Sequence, residues 1–340
     1  MFREKITKYL FDHPRYLNLV KSIVSSRLIA NSSLYKIYAL KRARERDQKF
    51  LPTIKPVFIE TTLNCNSRCI FCYHNKKVMT GTMDMILFRK IIDESKDLGI
   101  SSVILSVYGE PTVDKFFWER VDYLVRRELD FGFITNAFLF DEKMTDKLIK
   151  IKRFTYVQFS VSGFSKEVYE RVMVGLKKDI TYKNINYFLK QKQKHKRNDL
   201  VVNMSYVLNK YNEIEFKEYF QYWSGKKGVT TVMPVELIDR MGENYNGEIG
   251  QLGPMQKKGN WLSPCGQLWD QIVVYYDGKV GPCCDDNDLR KLIVGDLNKE
   301  RLEDVFKGSK LRALRQLHIN NKRCNHPVCG GCYHNTIWLR

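Results

Sequence analysis

The segment Cys65-Asn66-Ser67-Arg68-Cys69-Ile70-Phe71-Cys72 holds three cysteines at spacings of four and three. A four-iron, four-sulfur cluster has four corner irons and is normally held by four thiolates, so three thiolates leave one iron open. In catalytic metal sites such an open coordination position is where a substrate binds. Short cysteine spacings also suit zinc. The spacing alone therefore allows a cluster loop, a zinc loop or a set of reduced structural thiols.

The residues before this segment place it at the end of a strand. Val57 to Thr62 form a strand-like apolar run, and the first cysteine follows it directly. In open and closed α/β folds, functional groups collect beyond the carboxyl ends of the strands. We therefore expect the three cysteines to lie on the functional face of the fold.

The three-cysteine segment resembles the loop of the radical S-adenosylmethionine enzymes, whose pattern is Cys-x3-Cys-x2-Cys with an aromatic residue before the last cysteine. Here that aromatic residue is Phe71. The resemblance implies that Cys65, Cys69 and Cys72 hold a cluster whose open iron chelates S-adenosylmethionine. It also implies cleavage of that cosubstrate to a 5′-deoxyadenosyl radical, with the electron supplied by a donor such as flavodoxin or ferredoxin. In such enzymes the cofactor supplies the chemistry and the protein positions it.

Composition limits the class of protein. The chain has 340 residues, of which 44% are hydrophobic and 28% charged, and its length is enough for roughly two domains. Nine cysteines without a signal-peptide pattern favour a reducing cytoplasm, and no apolar run reaches the ~18 residues of a membrane span. The net charge of +19 favours an anionic partner: a phosphorylated metabolite, a membrane surface or nucleic acid.

The first 50 residues carry twelve Lys and Arg against four Asp and Glu. Apolar residues recur there at roughly helical spacing, which predicts a basic helical extension. Helices packed on the barrel with a solvated basic face are the simplest interpretation. Contact with a membrane surface and recruitment of an anionic substrate remain alternatives.

From residue 57 onward, strand-like and helix-like runs alternate, which is typical of a parallel sheet with crossover helices. The predicted strands are 57–62, 102–107, 131–135, 156–162, 200–208 and 231–237. The predicted helices are 84–98, 114–127, 141–150 and 213–224, and more than one helix is predicted to fill 166–196. Six strands are too few for a closed eight-stranded barrel. They equal the number in the partial barrel of the radical family. We thus predict an α/β fold with a partial (β/α)6 TIM-type barrel at 51–245, between a helical extension at 1–50 and a small cysteine-rich domain at 246–340.

Distinctive residues follow several of the predicted strands. Gly109-Glu110-Pro111, after Tyr108, resembles the family's Gly-Gly-Glu-Pro turn, whose backbone binds the amino group of S-adenosylmethionine. Thr135-Asn136-Ala137 resembles its Thr-Asn-Gly run, and Ser160-Val161-Ser162-Gly163 its Ser-Leu-Asp-Gly run. The resemblance therefore implies that Asn136, Ser160 and Ser162 bind the ribose or carboxylate of the cosubstrate.

Two basic features of the sequence can be interpreted either as binding sites or as solvated surface. Arg171, in a run similar to the family's next helix, is expected either to pair with the cosubstrate carboxylate or to be solvated. Residues 177–197 contain eight Lys and Arg but only one acidic residue, Asp179. A solvated outer helix face is the simplest interpretation of that stretch. Nucleic-acid binding is the disfavoured alternative.

The remaining six cysteines all follow a loop rich in Gly, Asn and Pro after residue 242. Apolar runs on both sides of Asp277-Gly278 predict a hairpin, and a helix is predicted at 302–317. This half resembles the twitch domain, a shortened relative of the SPASM auxiliary-cluster domain. The resemblance implies a second four-iron cluster with four ligands, Cys265, Cys283, Cys329 and Cys332. A cluster closed by four thiolates suits electron transfer.

Cys284 and Cys324 are left without a role in that ligand set. Cys284 is most simply a small buried hydrophobe beside a ligand. The alternative for the whole group is a zinc site, since Cys324, His326, Cys329, Cys332 and His334 fall within eleven positions. Zinc would leave Cys265 and Cys283 without a function.

These observations predict a cytoplasmic radical enzyme with S-adenosylmethionine and two [4Fe-4S] clusters. The expected reaction is hydrogen-atom abstraction followed by two-electron oxidation of a small anionic substrate, such as a phosphorylated or nucleotide-linked sugar. Two alternatives stay open: a radical maturase of a ribosomally made peptide, and a non-catalytic zinc or iron–sulfur protein that binds nucleic acid.

Overall fold

The computed structural model describes residues 32–49, 56–72, 80–235, 249, 263–283, 290–330 and 332. The strands are β1 Val57–Ile59, β2 Ser102–Ile104, β3 Asp130–Thr135, β4 Phe154–Ser160, β5 Val201–Val207, β6 Thr231–Val235, β7 Ile272–Val274, β8 Lys279–Gly281 and β9 Gly295–Asp296. The helices are α1 Ser33–Lys49, α2 Met85–Asp97, α3 Phe117–Arg126, α4 Glu142–Leu148, α5 Lys166–Val172, α6 Lys178–Lys194, α7 Phe216–Ser224, α8 Gln267–Asp270, α9 Leu302–Lys307 and α10 Ser309–Ile319.

Strands β1 to β6 form a parallel sheet in chain order, with helices between successive strands. This confirms the predicted partial barrel. Side chains alternate between the two faces of each strand, so one face of β4 carries Val157 and Phe159. These residues belong to the main core, where the Phe159 ring meets that of Phe188 on α6 edge-on at 5.5 Å. The other face carries Tyr156 and Gln158, which bond to each other at 2.8 Å.

Hydrogen-bonding side chains start several of the crossover helices. Asp84, Asp141 and Ser165 each precede a helix and accept a backbone N–H from its first turn. Such caps satisfy N–H groups that have no partner within the helix, and each typically contributes about 1 kcal/mol. They fix where α2, α4 and α5 begin, and thereby the lengths of the loops that follow β1, β3 and β4.

The sheet does not end at β1. Strand β7, from the cysteine-rich half, pairs in parallel with β1 in the register Val57 with Ile272 and Ile59 with Val274. With the antiparallel strands β8 and β9, the sheet has nine strands within the described part of the chain. The C-terminal hairpin thus continues the barrel sheet beside the strand that leads into the three-cysteine loop.

Helix α1 packs on the C-terminal region. Its Tyr35, Ala39 and Ala43 are buried with Leu268 and Trp269, among other residues. Arg46 forms an ion pair with Asp270, and the Gln316 amide donates to Asp47 at 2.6 Å. The rest of the predicted extension, residues 1–31 and 50, lies outside the described residues, as does the predicted boundary at 245 and 246.

The basic stretch at 177–197 contains cations with structural contacts. Lys192 donates to the Gly228 carbonyl at 3.1 Å. The Arg197 guanidinium donates to the carbonyls of Ile149 and Phe154 at 2.7 and 2.6 Å. Both side chains are buried. They therefore fasten loops at the amino-terminal end of the barrel, and the exposed charge of this stretch is smaller than its sequence suggests. Within the described residues, no helix is both long and apolar enough to span a membrane.

Candidate radical-cluster site at the mouth of the barrel

The three-cysteine loop is held by backbone pairing to the segment after α5. Arg68 donates its N–H to the Val174 carbonyl at 2.8 Å, and Ile70 donates to that of Val172 at 3.0 Å. The Ser67 hydroxyl adds a bond to the Val174 carbonyl at 2.9 Å. These three hydrogen bonds hold the middle of the loop against the segment that follows α5.

Gly175 allows the chain to turn beneath this loop. Its φ of +94° lies in the region that residues with a Cβ rarely adopt, and a Cβ there would lie 3.2 Å from the Asn66 carbonyl oxygen. The pairing of residues 172 and 174 with the loop depends on this turn. The sequence contains the signal, since Gly175 stands just past α5, where a helix commonly ends.

The thiols of the loop are partly enclosed. Burial raises the pKa of Cys65 to about 12, and burial also raises the pKa of Cys69. The Cys69 sulfur lies 3.0 Å from the Ser67 hydroxyl oxygen and 3.6 Å from the Met173 sulfur. Thiols in such surroundings are neutral on their own and ionise when a metal replaces the proton. The enclosed thiols of Cys65 and Cys69 are soft ligands of the kind that iron–sulfur clusters use.

The turn after β2 packs directly on the loop. Glu110 donates its N–H to the Asn64 carbonyl at 2.9 Å. A Cβ on Gly109 would lie 2.0 Å from the Thr62 carbonyl oxygen, so any other residue here would push the turn away from the loop. The predicted turn 109–111 and the predicted cysteine loop therefore form one structural unit.

The Glu110 carboxylate ties the turn to the end of β3. It accepts the Thr135 hydroxyl and the Asn136 N–H, both at 2.7 Å, and also the N–H and hydroxyl of Thr112. Burial raises the pKa of this carboxyl group. Since both carboxylate oxygens accept hydrogen bonds within the protein, the side chain of Glu110 holds the turn and the end of β3 together.

Asn136 connects β3 to the cysteine loop. Its amide nitrogen donates to the Asn66 side-chain oxygen at 2.7 Å. The amide nitrogen of Asn66 is buried without a hydrogen-bond partner among the described residues. A donor left open between two cysteines of the loop fits a polar cosubstrate at this point. Sequence reasoning named Asn136 but missed Asn66, whose only signal is its place between the cysteines.

The two serines at the carboxyl end of β4 differ in what they contact. Ser162 is fully buried, and its hydroxyl oxygen accepts the Val207 N–H at 2.9 Å. Ser160 is only partly buried, and it stands opposite Ser205 in the β4–β5 register. The hydroxyl of Ser162 therefore joins the ends of β4 and β5.

Arg171 lies at the rim of the mouth. Its guanidinium carbon is 3.8 Å from the centre of the Tyr211 ring, and the Lys210 ammonium is 5.1 Å from the same centre. Arg171 is exposed and sits at the end of α5, next to the segment that pairs with the cysteine loop. A cation stacked on an aromatic ring keeps its charge and most of its donors. The rim thus offers positive charge beside the proposed cluster.

Two of the C-terminal cysteines contact the region around α10: Cys329 packs with residues of α1, α8 and α10, and Cys265 bonds to His318. Cys265 and Cys329 are buried, whereas Cys283 and Cys332 are partly buried. The Cys265 N–H donates to Nδ1 of His318, and the Cys329 N–H donates to Nδ1 of His326, both at 3.1 Å. Burial, helped by nearby Arg323 and His326, lowers the pKa of His318 to about 3. Cys284 lies outside the described residues.

Sequence reasoning missed Glu60, the residue that follows β1. It is fully buried, and one carboxylate oxygen accepts from the Arg290 guanidinium at 2.7 Å and from the Tyr276 N–H at 3.2 Å. The other oxygen has no partner among the described residues. Burial, opposed by Arg290, raises the pKa of Glu60 to about 7. This carboxylate joins β1 to the C-terminal hairpin at the base of the cysteine loop.

Glu60 should make the stability of the cluster-free chain depend on pH. A carboxyl group whose pKa is higher in the folded than in the unfolded chain stabilises the fold at low pH, and this contribution disappears as pH rises through the folded value. Relative to Glu60→Gln, the wild-type free energy of unfolding should fall by about 2 to 3 kcal/mol between pH 5 and pH 8. Urea unfolding at several pH values measures this. Glu119→Gln, which removes an exposed carboxylate, is the control and should leave the slope unchanged. Parallel curves for wild type and Glu60→Gln would contradict the shift.

Comparison with known protein families finds one match in the barrel and another in the cysteine-rich C-terminal region. Residues 59–222 match the model of the radical SAM superfamily, and residues 265–333 match that of the SPASM iron–sulfur cluster-binding domain. The chain therefore belongs to the radical S-adenosylmethionine superfamily and carries a C-terminal SPASM domain. Its cofactors are S-adenosylmethionine and [4Fe-4S] clusters.

Curated relatives are similar over part of the chain. A cofactor-modifying protein for the tungsten-containing aldehyde ferredoxin oxidoreductase of Pyrococcus furiosus is 30% identical over 29% of this chain and 28% of that protein. The mycofactocin maturase MftC of Mycobacterium tuberculosis is 30% identical over 33% of this chain and 29% of its own. The chain thus spans less than a third of the length of these relatives.

A solved structure extends the likeness of the fold. Streptococcus suis SuiB bound to the precursor peptide SuiA aligns with a TM-score of 0.66 and 14% identity, over 87% of this chain and 75% of that chain. At this identity the likeness concerns the fold.

An open-iron cluster held by Cys65, Cys69 and Cys72 would supply the one-electron chemistry that cleaves S-adenosylmethionine. The residues of this chain fit that cofactor in three respects: enclosed thiols, a loop fixed by backbone bonds, and an open donor on Asn66.

Proposed function

We propose that this protein uses Cys65, Cys69 and Cys72 to hold the radical cluster and carries out a two-electron oxidation at a carbon of an acidic peptide. The observation that carries the proposal is the joining of β7 to β1. It attaches the second cysteine set to the strand that leads into the cysteine loop. A two-electron oxidation must remove a hydrogen atom and then an electron, with a proton, from the substrate. A site that abstracts hydrogen and a site that accepts an electron, built on one sheet, suit such a reaction.

The proposed auxiliary cluster is held by Cys265, Cys283, Cys329 and Cys332. Four thiolates close a four-iron cluster and leave no iron open, which suits electron transfer. The burial of Cys265 and Cys329 supports this role, because a cluster shielded from water keeps a defined potential. Two backbone N–H bonds to histidines hold these two cysteines in place.

Two of the similar proteins support a peptide as the substrate of this chain. MftC is a maturase, and the SuiB structure contains a precursor peptide. An acidic peptide is favoured by the net charge of +19 and by the cations of Arg171 and Lys210 on the Tyr211 ring at the rim.

A small phosphorylated metabolite is the second candidate. The same rim cations suit a phosphate as well as a carboxylate, since Arg binds either in a bidentate manner. A phosphorylated or nucleotide-linked sugar, oxidised at an alcohol or amine carbon, remains consistent with the basic charge of the chain.

Substrate pools can separate these candidates. Anaerobically reconstituted protein with S-adenosylmethionine and a reductant would be incubated with pools of acidic peptides, matched neutral peptides or nucleotide-linked sugars. We expect acidic peptides to increase 5′-deoxyadenosine above the substrate-free rate and to yield a peptide lighter by two hydrogens in mass spectrometry. An increase and a mass loss only with the sugars would favour the second candidate. Consumption of a substrate without loss of two hydrogens would exclude oxidation.

A further inference from the structure

A buried histidine on α10 carries a hydrogen-bond donor that the described part of the chain does not use. His318 is 1% exposed. Its Nδ1 accepts the Cys265 N–H at 3.1 Å, while its Nε2 is buried and has no hydrogen-bond partner among the described residues. Buried polar atoms without partners are uncommon, so a missing partner at Nε2 needs an explanation.

The bond to Cys265 fixes the tautomer of the ring. A ring nitrogen that accepts a hydrogen bond carries no proton, and a neutral imidazole has its single proton on the other nitrogen. Nε2 of His318 is therefore an N–H donor. The missing partner of Nε2 must therefore be a hydrogen-bond acceptor. The other ring nitrogen, Nδ1, binds the backbone of Cys265, which is a proposed cluster ligand.

We propose that the Nε2–H of His318 donates a hydrogen bond to a sulfur of the auxiliary cluster. The inference rests on the proposed function, because it takes Cys265 as a ligand of that cluster. Thiolate and sulfide sulfurs are anionic acceptors, and hydrogen bonds to them are among the factors that set cluster potentials. Reduction adds negative charge to the cluster, so a donor favours the reduced form and raises the potential. His318 is thus a positioning residue that tunes the electron acceptor.

His326 offers a comparison within the same region. Its Nδ1 likewise accepts the N–H of a proposed ligand, Cys329, at 3.1 Å. Its side chain is only partly buried, so water can reach the ring. Both histidines accept a backbone N–H from a proposed ligand through Nδ1. Only His318, of these two, has a buried Nε2 without a partner among the described residues.

Two substitutions of His318 separate the backbone contact from the donor. Asn places a side-chain oxygen near the position of Nδ1, so His318→Asn can retain the bond from Cys265 while removing the donor. Gln places an amide nitrogen near the position of Nε2, so His318→Gln can restore the donor. The potential of each cluster would be measured by redox titration of the reconstituted full-length protein, followed by electron paramagnetic resonance. The cluster whose spectrum responds to S-adenosylmethionine serves as the internal reference.

We expect His318→Asn to lower the potential of the auxiliary cluster, His318→Gln to return it toward the wild-type value, and both to leave the reference cluster unchanged. An unchanged auxiliary potential in His318→Asn would overturn the inference and leave the proposed function intact. Absence of an auxiliary cluster from wild-type protein would instead overturn the proposed ligand set.

A measurement on the wild-type chain covers the case in which the variants do not assemble. With 15N-labelled histidine, the reduced auxiliary cluster should show a weak hyperfine coupling to one imidazole nitrogen in pulsed paramagnetic resonance. Absence of that coupling from a fully assembled cluster would also overturn the inference.

Discussion

Replacing Cys65, Cys69 and Cys72 together by Ala is expected to abolish formation of 5′-deoxyadenosine from S-adenosylmethionine. The loop would keep its backbone bonds to residues 172 and 174, so the barrel should still fold. Iron should fall by about half, because each of the two clusters would contain four irons. Iron analysis and chromatography of the cosubstrate products measure both effects.

The control is Cys324→Ala. Cys324 is exposed and lies outside both proposed ligand sets, so its replacement should change neither iron nor 5′-deoxyadenosine. Cleavage that persists at the wild-type rate in the triple variant would move the radical cluster to other residues.

Replacing Cys329 and Cys332 together by Ala is expected to remove the auxiliary cluster and stop substrate oxidation. Cleavage of S-adenosylmethionine with an artificial reductant should continue, because the cysteine loop at the barrel mouth is untouched. The substrate radical would lose its electron acceptor, and hydrogen could return to it from 5′-deoxyadenosine. Full product formation in this double variant would show that the auxiliary cluster accepts no electron. Zinc instead of iron at these thiolates would support the structural alternative.

The order of strands was predictable from the sequence, because each strand is apolar and each crossover is helical. The strand ends were less accurate. The run at 57–62 predicted a longer first strand, yet β1 ends at Ile59 because Thr61 and Leu63 bond to the chain around Gly81. The helix predicted at 302–317 is divided at Gly308, where the backbone is extended.

The pairing of strands far apart in the chain could not be predicted from the sequence. The hairpin around Asp277 and Gly278 was predicted from local turn chemistry, and strands β7 and β8 confirm it. Nothing in its periodicity indicates that β7 joins the edge of β1. For the same reason Glu60 looked like an ordinary strand residue, although its partner Arg290 lies 230 positions away in sequence.

The site was predictable where its residues form short motifs. The cysteine loop, the turn at Gly109 and Glu110, and Asn136 each follow a strand, and the structure brings them together through Asn64 and Asn66. The roles of His318 and Met173 were not predictable, since single residues on helices or helix ends carry no spacing signal.

The central claim is that the loop of Cys65, Cys69 and Cys72 holds a four-iron cluster with one iron open to S-adenosylmethionine. Electron–nuclear double resonance of the reduced, reconstituted protein, with S-adenosylmethionine labelled at its amino nitrogen and carboxylate oxygen, tests this most directly. The account predicts hyperfine coupling of both labels to one cluster in wild-type protein and none in the triple alanine variant. A fully assembled wild-type protein that shows no coupling to either label, or the same coupling in the triple variant, would contradict it.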